Sequence, residues 1–235
     1  MLTINQKDDG YRYTIDSFML ADFSRCSRGD RVIDLGTGCG IIPLLLNTKY
    51  KDLTIYGVDI QKELIEIADQ NRLSNTIEHH AITFLNKDIL EIKHLWDSGY
   101  FNVVVTNPPY YKQGSGRINS DNDKAKARHE ISASITDFIS AASYLLNNGG
   151  KFFTIFPVER LIDLTIALRE LRLEPKRIRL ISSTSLKPPH LLLLEAKKNS
   201  KPGLTIEAPL NIYREQGKYS TEIEHMFNLV NKTNL

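Results

Sequence analysis

Short apolar runs alternate with longer mixed segments along most of this chain. The apolar runs predict strands near residues 31–35, 53–58, 81–85, 101–106 and 151–156. Helical segments separate them, and the one from 135 to 146 stops at Asn147-Asn148-Gly149-Gly150, a sequence that ends helices well. After Pro157 the pattern predicts a helix through Leu173 and then strands near 177–182 and 190–196. Strands that alternate with helices in this way indicate one α/β domain.

The composition is that of an ordinary folded protein. Of 235 residues, 41% are hydrophobic and 25% are charged, which leaves room for a sizeable core. No apolar run approaches the ~20 residues of a membrane-spanning helix, and the polar segment Met1 to Asp9 lacks the apolar centre of a signal peptide. Two cysteines, Cys26 and Cys39, are too few for a disulfide framework. These features predict a protein of the reducing cytoplasm with no membrane span.

The first predicted strand runs directly into a glycine-rich turn. Gly36, Gly38 and Gly40 are spaced as G-x-G-x-G, and an apolar helix is predicted from Ile41 to Asn47. Glycines let a backbone approach a ligand closely. Dinucleotide-binding proteins carry a similar turn, but no phosphate-binding lysine follows this one, so a P-loop is excluded. Asp34, just before the glycines, would repel a pyrophosphate and suits a cationic or amine-bearing ligand.

Acidic side chains stand at the ends of the next strands as well. Asp59 closes the second strand, 25 residues after Asp34, where a carboxylate can accept from both hydroxyls of a ribose. Asp88 ends the third strand and can reach an adenine amino group. Each aspartate alone would more often cap a helix. Because ligands of open parallel sheets bind at the carboxyl ends of the strands, the series that continues to Asn107 predicts a binding site there.

The fourth strand end carries Asn107-Pro108-Pro109-Tyr110, which suits the methylation of a planar amino nitrogen. The lone pair of such a nitrogen is delocalised, so acceptors that hold its N–H groups activate it and stabilise the positive charge that develops. The Asn107 side chain and the Pro108 carbonyl are two such acceptors, and Pro109 biases Pro108 toward an extended backbone. Tyr110 offers a flat ring for stacking. Asn-Pro alone would indicate a turn, but the glycine turn upstream favours a reaction site.

Together, the glycine turn, the ribose aspartate and N-P-P-Y resemble the class I S-adenosylmethionine-dependent methyltransferases that act on amino nitrogens. More narrowly, nearly the whole chain resembles the bacterial tRNA1(Val) adenine-37 N6-methyltransferases. The segments that support it are Gly10–Ser17, Asp34–Leu46, Gly57–Gln61, Asn107–Tyr110, Ala127–Glu130, Leu173–Arg177, Ala208–Leu210 and Tyr219–Glu222. The glycine turn and N-P-P-Y identify only the broad class, whereas Arg128-His129-Glu130 and Glu174-Pro175-Lys176-Arg177 narrow it. Asp59 stands where that family usually has glutamate, a difference that keeps the carboxylate.

The resemblance implies a Rossmann-like α/β fold. Its sheet would have seven mostly parallel strands with helices on both faces, and the last strand would insert antiparallel beside the fifth. We expect residues 1–30 to form a cap over the cofactor site and residues 31–200 to form the methyltransferase domain. Residues 201–235 would be a C-terminal appendage packed on the same domain.

The resemblance also implies a cofactor and roles for individual residues. Asp34 would anchor the amino group of S-adenosylmethionine, Asp59 the ribose hydroxyls and Asp88 the adenine edge. The predicted cofactor-binding residues are Asp34, Gly36, Thr37, Gly38, Gly40, Asp59, Ile60, Asp88, Ile89 and Asn107, and the predicted catalytic residues are Asn107, Pro108, Pro109 and Tyr110. The reaction would be N6-methylation of adenine 37 in the anticodon loop of a valine tRNA, with the base presented outside its stack. No metal is predicted, because His129-Glu130 lacks a second histidine at zinc spacing.

Charge is informative through its distribution, since the net charge is only +2. Between Arg172 and Lys201 eight basic residues face two acidic ones, and the Lys112–Arg128 loop is basic as well. These clusters predict tRNA contacts by that loop and by Lys176, Arg177 and Arg179. A solvated lysine-rich surface is the alternative for the first cluster. Arg128-His129-Glu130 either orders the substrate loop or contacts RNA, and a salt-bridge cluster at a helix start is the alternative.

Three other functions share parts of this pattern. Release-factor methyltransferases, which modify a protein glutamine, also carry N-P-P-Y, but only about 30 residues precede the first predicted strand here, where those proteins have an extra helical domain. DNA adenine methylation would call for an added recognition domain. A methyltransferase-like RNA-binding protein without turnover is the third, and the intact Asp34, Asp59, Asn107 and Tyr110 argue against it.

Overall fold

A mixed sheet runs through the computed structural model of this chain, which describes residues 2–5, 15–75, 77, 81–109, 133–215 and 217–228. Within these ranges the strands are β1 (Arg31–Leu35), β2 (Thr54–Asp59), β3 (Ile82–Asn86), β4 (Phe101–Thr106), β5 (Leu146–Pro157), β6 (Leu173–Ser182), β7 (Leu191–Lys198), β8 (Thr205–Ile206), β9 (Leu210–Asn211), β10 (Tyr213–Glu215) and β11 (Lys218–Tyr219). The α-helices are α1 (Ile15–Phe23), α2 (Ile41–Lys49), α3 (Lys62–Ser74), α4 (Ile135–Leu145), α5 (Leu161–Glu170) and α6 (Thr221–Phe227). Two 3-10 helices span Ile89–His94 and Val158–Arg160.

The main sheet has the strand order β3-β2-β1-β4-β5-β7-β6-β8, and β9 also pairs with β6. The strands from β1 to β5 pair in parallel. β7 is antiparallel to both of its neighbours, β5 and β6. This arrangement confirms the predicted class I methyltransferase fold, including the late strand that inserts antiparallel beside the fifth. The short strands β8 and β9 extend the sheet beyond the seven that were predicted.

Helices cover both faces of the sheet, and each face has its own apolar core. On β1, Val32 belongs to the core shared with α1, α2, α3 and α6. The next residue, Ile33, belongs to the core shared with α4, α5 and the first 3-10 helix. This division follows from the strand geometry, since successive side chains point to opposite faces.

Most element boundaries agree with the sequence pattern, and two differ for a backbone reason. Helix α4 ends at Leu145, but β5 begins at Leu146, so the Asn-Asn-Gly-Gly segment lies inside a strand whose register is irregular there. Gly149, with φ 77°, allows this bulge-like path. Helix α5 ends at Glu170 and not at Leu173, because Arg172 has φ 60°, a left-handed conformation that ends helices.

The start of the described chain is held by two asparagines at the C-terminal end of α3, Asn71 within it and Asn75 directly after it. Asn71 accepts from the backbone N–H of Asn5 (2.6 Å) and donates to the carbonyls of Asn5 and Cys39 (both 3.0 Å). Asn75, one helical turn later, holds Thr3 in the same way, at 2.8 and 2.7 Å. Because Cys39 lies in the glycine turn, Asn71 links the N-terminal segment to that turn.

The C-terminal residues pack against the same helical layer as α1. The rings of Phe18 and Phe227 meet edge to face with their centroids 5.0 Å apart. The division into residues 1–30, 31–200 and 201–235 stays a prediction, since residues 6–14 of the expected cap lie outside the described ranges. Among the described residues we find neither a helix long and apolar enough to cross a membrane nor a cluster of three metal-binding side chains.

Candidate active site

The strand register brings Asp59 and Asn107 to one level of the sheet edge, two residues beyond Asp34. Asp34 of β1 pairs with Gly57 of β2 and with Val105 of β4. Asp59 and Asn107 each lie two residues further along their strands, at the level where the glycine turn leaves β1. Neighbouring strands are about 4.8 Å apart, so Asp59 and Asn107 flank the turn at about that distance on either side.

The glycine turn is bound to the end of β2. The backbone N–H groups of Gly36 and Thr37 both donate to the Val58 carbonyl, at 2.8 and 2.9 Å. Gly36, Gly38 and Gly40 have φ values of 74°, 56° and 82°, all in the left-handed region. At Gly40 a second constraint applies, because a Cβ there would lie 2.6 Å from the Phe84 ring of β3. Glycine at this position therefore serves the packing of α2 on the sheet as well as the turn.

Asp34 is a fully buried carboxylate with one partner. Its Oδ2 accepts from the Thr37 hydroxyl at 2.7 Å, while no donor of the described residues reaches Oδ1. Burial raises the pKa of Asp34 to about 7, the Thr37 hydrogen bond opposes this rise, and the nearby charge of Asp59 adds to it. An orphaned buried acceptor costs about 1–3 kcal/mol, and a ligand amine or a water can remove that cost by donating to it. The site thus fits a ligand that carries an ammonium group.

Asp59 is 7% exposed and lies between the glycine turn and the start of α3. Its Oδ2 accepts from the Gly38 N–H and its Oδ1 from the Gln61 N–H, both at 2.9 Å. Burial raises the pKa of Asp59, and these backbone N–H groups oppose the rise. Each carboxylate oxygen keeps a further lone pair, so Asp59 can still accept from ligand hydroxyls. The next side chain, Ile60, is 58% exposed and offers an apolar surface at the mouth of the site.

Asp88 lies beyond the end of its strand, in a different setting from the one expected. β3 ends at Asn86, and Asp88 caps the 3-10 helix that follows by accepting from the Leu90 N–H at 2.9 Å. Ile89 is 8% exposed and belongs to the core. The cofactor contacts of Asp88 and Ile89 stay predictions.

Two polar side chains that the sequence analysis did not single out fix the geometry of the strand ends. Asn86 donates to the carbonyls of Asp59 and Ile60, at 3.0 and 2.8 Å, which joins β3 to the end of β2. Thr106, fully buried, donates to the Leu35 carbonyl at 2.8 Å and so joins β4 to the end of β1. Both residues stand at the ends of predicted strands, and this position in the sequence is the signal by which they could have been found.

Asn107 leaves β4 directly after this buried threonine. Its side chain is half-buried, Pro108 is buried and Pro109 is exposed, so the motif turns outward from the core at the second proline. The ring of Tyr110, the Lys112–Arg128 loop and Arg128-His129-Glu130 lie outside the described residues. Their predicted roles in stacking and RNA contact therefore stay predictions.

Arg177, in the middle of β6, is not a free cation, which corrects its predicted role in RNA binding. Arg177 donates to Glu195 at 2.9 Å, to Glu207 at 3.0 Å and to the Phe23 carbonyl at 2.7 Å, and its side chain is 9% exposed. Its guanidinium also lies over the Phe23 ring, 3.7 Å from the centroid. An arginine engaged on all sides by its own chain cannot bind RNA phosphates.

The other two residues of β6 predicted to contact RNA are Arg179 and Lys176. The structure corrects the role of Arg179 and leaves that of Lys176 a prediction. Arg179 forms a bidentate ion pair with Glu222 of α6, with one contact at 2.9 Å, and donates to the Ala208 carbonyl at 3.0 Å. Its charge is neutralised within the protein. Lys176 donates to the Lys201 carbonyl at 3.1 Å and is the one residue of the three whose charge has no carboxylate partner among the described residues.

The chain is similar to known methyltransferases. The chain matches the methyltransferase small domain family over residues 15–162. A tRNA1(Val) (adenine(37)-N6)-methyltransferase from Porphyromonas gingivalis is 30% identical over 165 residues, which cover 69% of this chain and 64% of that protein. The protein of the same name from Vibrio campbellii is 26% identical over 225 residues, which cover 95% of this chain and 90% of that protein.

A solved structure agrees with the fold. The crystal structure of a predicted O-methyltransferase from Agrobacterium tumefaciens superposes with a TM-score of 0.73 at 20% identity, and the match covers 92% of this chain and 99% of that one. At this identity the likeness shows the α/β fold and not the substrate. The chain spans slightly less than two thirds, 64%, of the Porphyromonas gingivalis relative, so that protein's activity does not pass to this chain directly.

Proposed function

This chain belongs to the methyltransferase small domain family, and from that premise we propose that it transfers a methyl group from S-adenosylmethionine to N6 of an adenine in tRNA. Membership in the family confirms the predicted class I methyltransferase, whose cofactor is S-adenosylmethionine. The finer assignment, adenine 37 of the anticodon loop of a valine tRNA, is supported by the names of relatives that are 26–30% identical.

The observation that carries the proposal is the shared level of Asn107, Asp59 and the glycine turn. The registers of β2 and β4 against β1 bring the acceptor motif and the candidate ribose carboxylate to opposite sides of one turn. A methyl donor bound across that turn and an amino group held by Asn107 would then lie next to each other. Transfer between two held groups gains most of its rate from such positioning.

The residues at the turn fit S-adenosylmethionine. Asp34, with its orphaned Oδ1, would receive the amino group, and Asp59 would accept from the ribose hydroxyls with the lone pairs that its backbone donors leave free. Ile60 would contact the adenine ring with its exposed side chain. When bound, the cofactor supplies an electrophilic methyl group on a sulfonium.

On the acceptor side, the chain holds and polarises the amino group. The Asn107 side-chain oxygen and the Pro108 carbonyl would accept from the two N–H groups of N6, which favours a tetrahedral nitrogen and stabilises its developing charge. Burial of Pro108 and of Thr106 behind it fixes the level of these acceptors. The nitrogen can release a proton to solvent after methylation, so no strong base is required.

The first test is transfer of a labelled methyl group from S-adenosylmethionine to unmodified bulk tRNA, followed by nucleoside digestion and mass analysis. N6-methyladenosine among the digested nucleosides is the expected product. Cofactor binding without any transfer to tRNA would refute the proposal and favour a protein glutamine or another RNA as acceptor.

Replacing the acceptor itself tests the mechanism. We expect Asn107→Ala to lower kcat by about 10²–10³, the loss typical of a removed charge-stabilising group, while the Kd for S-adenosylmethionine changes little. Asn148→Ala is the matched control, because Asn148 is an exposed asparagine at the opposite edge of the sheet. Near-normal turnover of Asn107→Ala would contradict the acceptor role.

A further inference from the structure

The loop between β6 and β7, residues Ser183–His190, stands on the same sheet edge as the candidate active site. β6 and β5 run in the same direction, since both are antiparallel to β7. The carboxyl end of β6 is therefore at the edge where β1, β2 and β4 end. We refer to these eight residues as the β6–β7 loop.

The β6–β7 loop also rises above the level of Asn107. Thr106, the last residue of β4, pairs with Thr154, whereas β5 continues to Pro157, which pairs with Leu191 at the start of β7. Asn107, one residue beyond Thr106, is level with Ile155, so the two further residues to Pro157 add about 7 Å of height. Two to three strand spacings separate β4 from β7 and β6, which is about 10–14 Å across the sheet. The loop therefore stands beside the acceptor motif and above it. The distance across the sheet, about 10–14 Å, is the range in which the nucleotides that flank a bound base lie.

Hydrogen bonds within and around the loop fix its shape. The Lys187 N–H donates to the Thr184 carbonyl at 3.1 Å, and the His190 N–H donates to the Ile181 carbonyl at 3.0 Å. Val158, directly after β5, donates to the His190 carbonyl at 3.0 Å. Pro188 and Pro189, which lie between Lys187 and His190, restrict the backbone of the loop further.

This fixed loop presents one apolar and one cationic side chain to solvent. Leu186 is 93% exposed, the highest value among the exposed large apolar side chains of the described residues. Lys187 is exposed as well, and no carboxylate of the described residues lies within ion-pair distance of it. In contrast to Arg177 and Arg179, Lys187 has no ion-pair partner within the part of the chain that the structure describes, so its charge can serve a ligand.

We infer that Leu186 and Lys187 form a second RNA contact, an inference that rests on the proposed function. Extrusion of a target base leaves its stacking neighbour uncovered, and apolar side chains inserted beside an unstacked base offset part of that cost. Leu186 supplies such a side chain, and Lys187 pairs with a phosphate of the same strand. The β6–β7 loop then holds the nucleotides next to the target adenine while Asn107 holds the adenine itself.

The test compares Leu186→Ala and Lys187→Glu with two matched controls at the opposite edge of the sheet. Leu73→Ala removes an exposed leucine (65%) at the end of α3, and Lys51→Glu reverses an exposed lysine before β2. We expect each loop variant to raise the KM for tRNA about tenfold, with kcat changed less than twofold and the Kd for S-adenosylmethionine unchanged. Lys187→Glu should also lower the salt slope of tRNA binding by about one.

The outcomes separate this inference from the proposed function. If the unaltered protein methylates tRNA and the loop variants behave like their controls, the inference is wrong and the proposed function stands. If the unaltered protein does not methylate tRNA, the proposed function fails, and direct binding of tRNA by the same four variants decides the RNA contact. Melting temperatures of all four variants should equal that of the unaltered protein, so a loss of folding cannot imitate the expected result.

Discussion

At the scale of single residues, Asp34 is the carboxyl group of the site whose charge is least compensated by its surroundings. Its carboxyl group is fully buried, has one hydrogen bond from Thr37, and has a pKa raised to about 7 by burial. The folded protein therefore binds this proton more tightly than the unfolded chain does. A carboxyl with a raised pKa contributes stability at low pH that is lost as the pH rises through the folded-state value.

Because the pKa of Asp34 is raised, we expect the stability of the protein without cofactor to depend on pH in a way that an asparagine at this position removes. Asp34→Asn keeps the hydrogen bond from Thr37 and cannot ionise, so its stability advantage over the unaltered protein should grow between about pH 4 and pH 7 and level off above pH 7. The plateau should be on the order of a few kcal/mol. Thermal melts across this range measure it. A difference that does not change with pH would show that Asp34 ionises normally.

At the scale of elements, Arg177 joins β6 to three other parts of the fold. Its partners Glu195, Glu207 and the Phe23 carbonyl are 18, 30 and 154 residues away in sequence. Glu195 is 7% exposed, so without Arg177 it would be a buried charge with no counterion. The basic residue that the sequence pattern assigned to RNA is thus part of the structural core.

We expect Arg177→Met to destabilise the protein by about 3–5 kcal/mol, the cost typical of leaving one partner of a buried pair unpaired. Lys176→Ala, one residue earlier and exposed to solvent at its charge, is the control and should change stability by less than about 0.5 kcal/mol. Urea unfolding measures both. In Arg177→Met/Glu195→Leu part of the loss should be recovered, and equal losses in the single and double variants would contradict the pairing.

The strand ends of the site could be predicted from the sequence, whereas the structural role of Arg177 could not. The strand ends that carry Asp34, Asp59 and Asn107 were predictable, because short apolar runs followed by one polar residue are local signals. The structural use of Arg177 depends on partners brought together by the fold, and the early start of β6 passes through Glu174-Pro175, which no apolar pattern marks. Asn86 and Thr106 were missed for a related reason, since each acts on the backbone of a neighbouring strand.

At the scale of the whole molecule, the first and last described helices pack together. Phe18 of α1 and Phe227 of α6 are 2% and 6% exposed and share the core that includes α2 and β1. Arg179 of β6 adds its bidentate pair with Glu222 of α6. These contacts predict that α6 unfolds together with the sheet and does not melt as a separate unit.

Phe227→Ala should therefore lower the single melting transition of the entire chain, with a loss of about 3–5 kcal/mol from the cavity it leaves. Differential scanning calorimetry is the appropriate measurement, because one transition with equal calorimetric and van't Hoff enthalpies marks a cooperative unit. Ile206→Ala, at a 67% exposed position of β8, should leave the transition in place. A separate low-temperature transition in Phe227→Ala would mean that residues 201–235 fold independently.

The position of β7 has a consequence for synthesis on the ribosome. β7 lies between β5 and β6, although β6 is translated before it. β6 therefore has no neighbour to join until the chain has been made as far as Lys198, when β6 and β7 can dock on β5 as a hairpin. Until then the nascent protein carries β5, with its buried phenylalanines Phe152, Phe153 and Phe156, as an open edge strand. An edge of that kind readily pairs with other chains, so we expect aggregation to threaten this protein most in the interval before translation reaches β7.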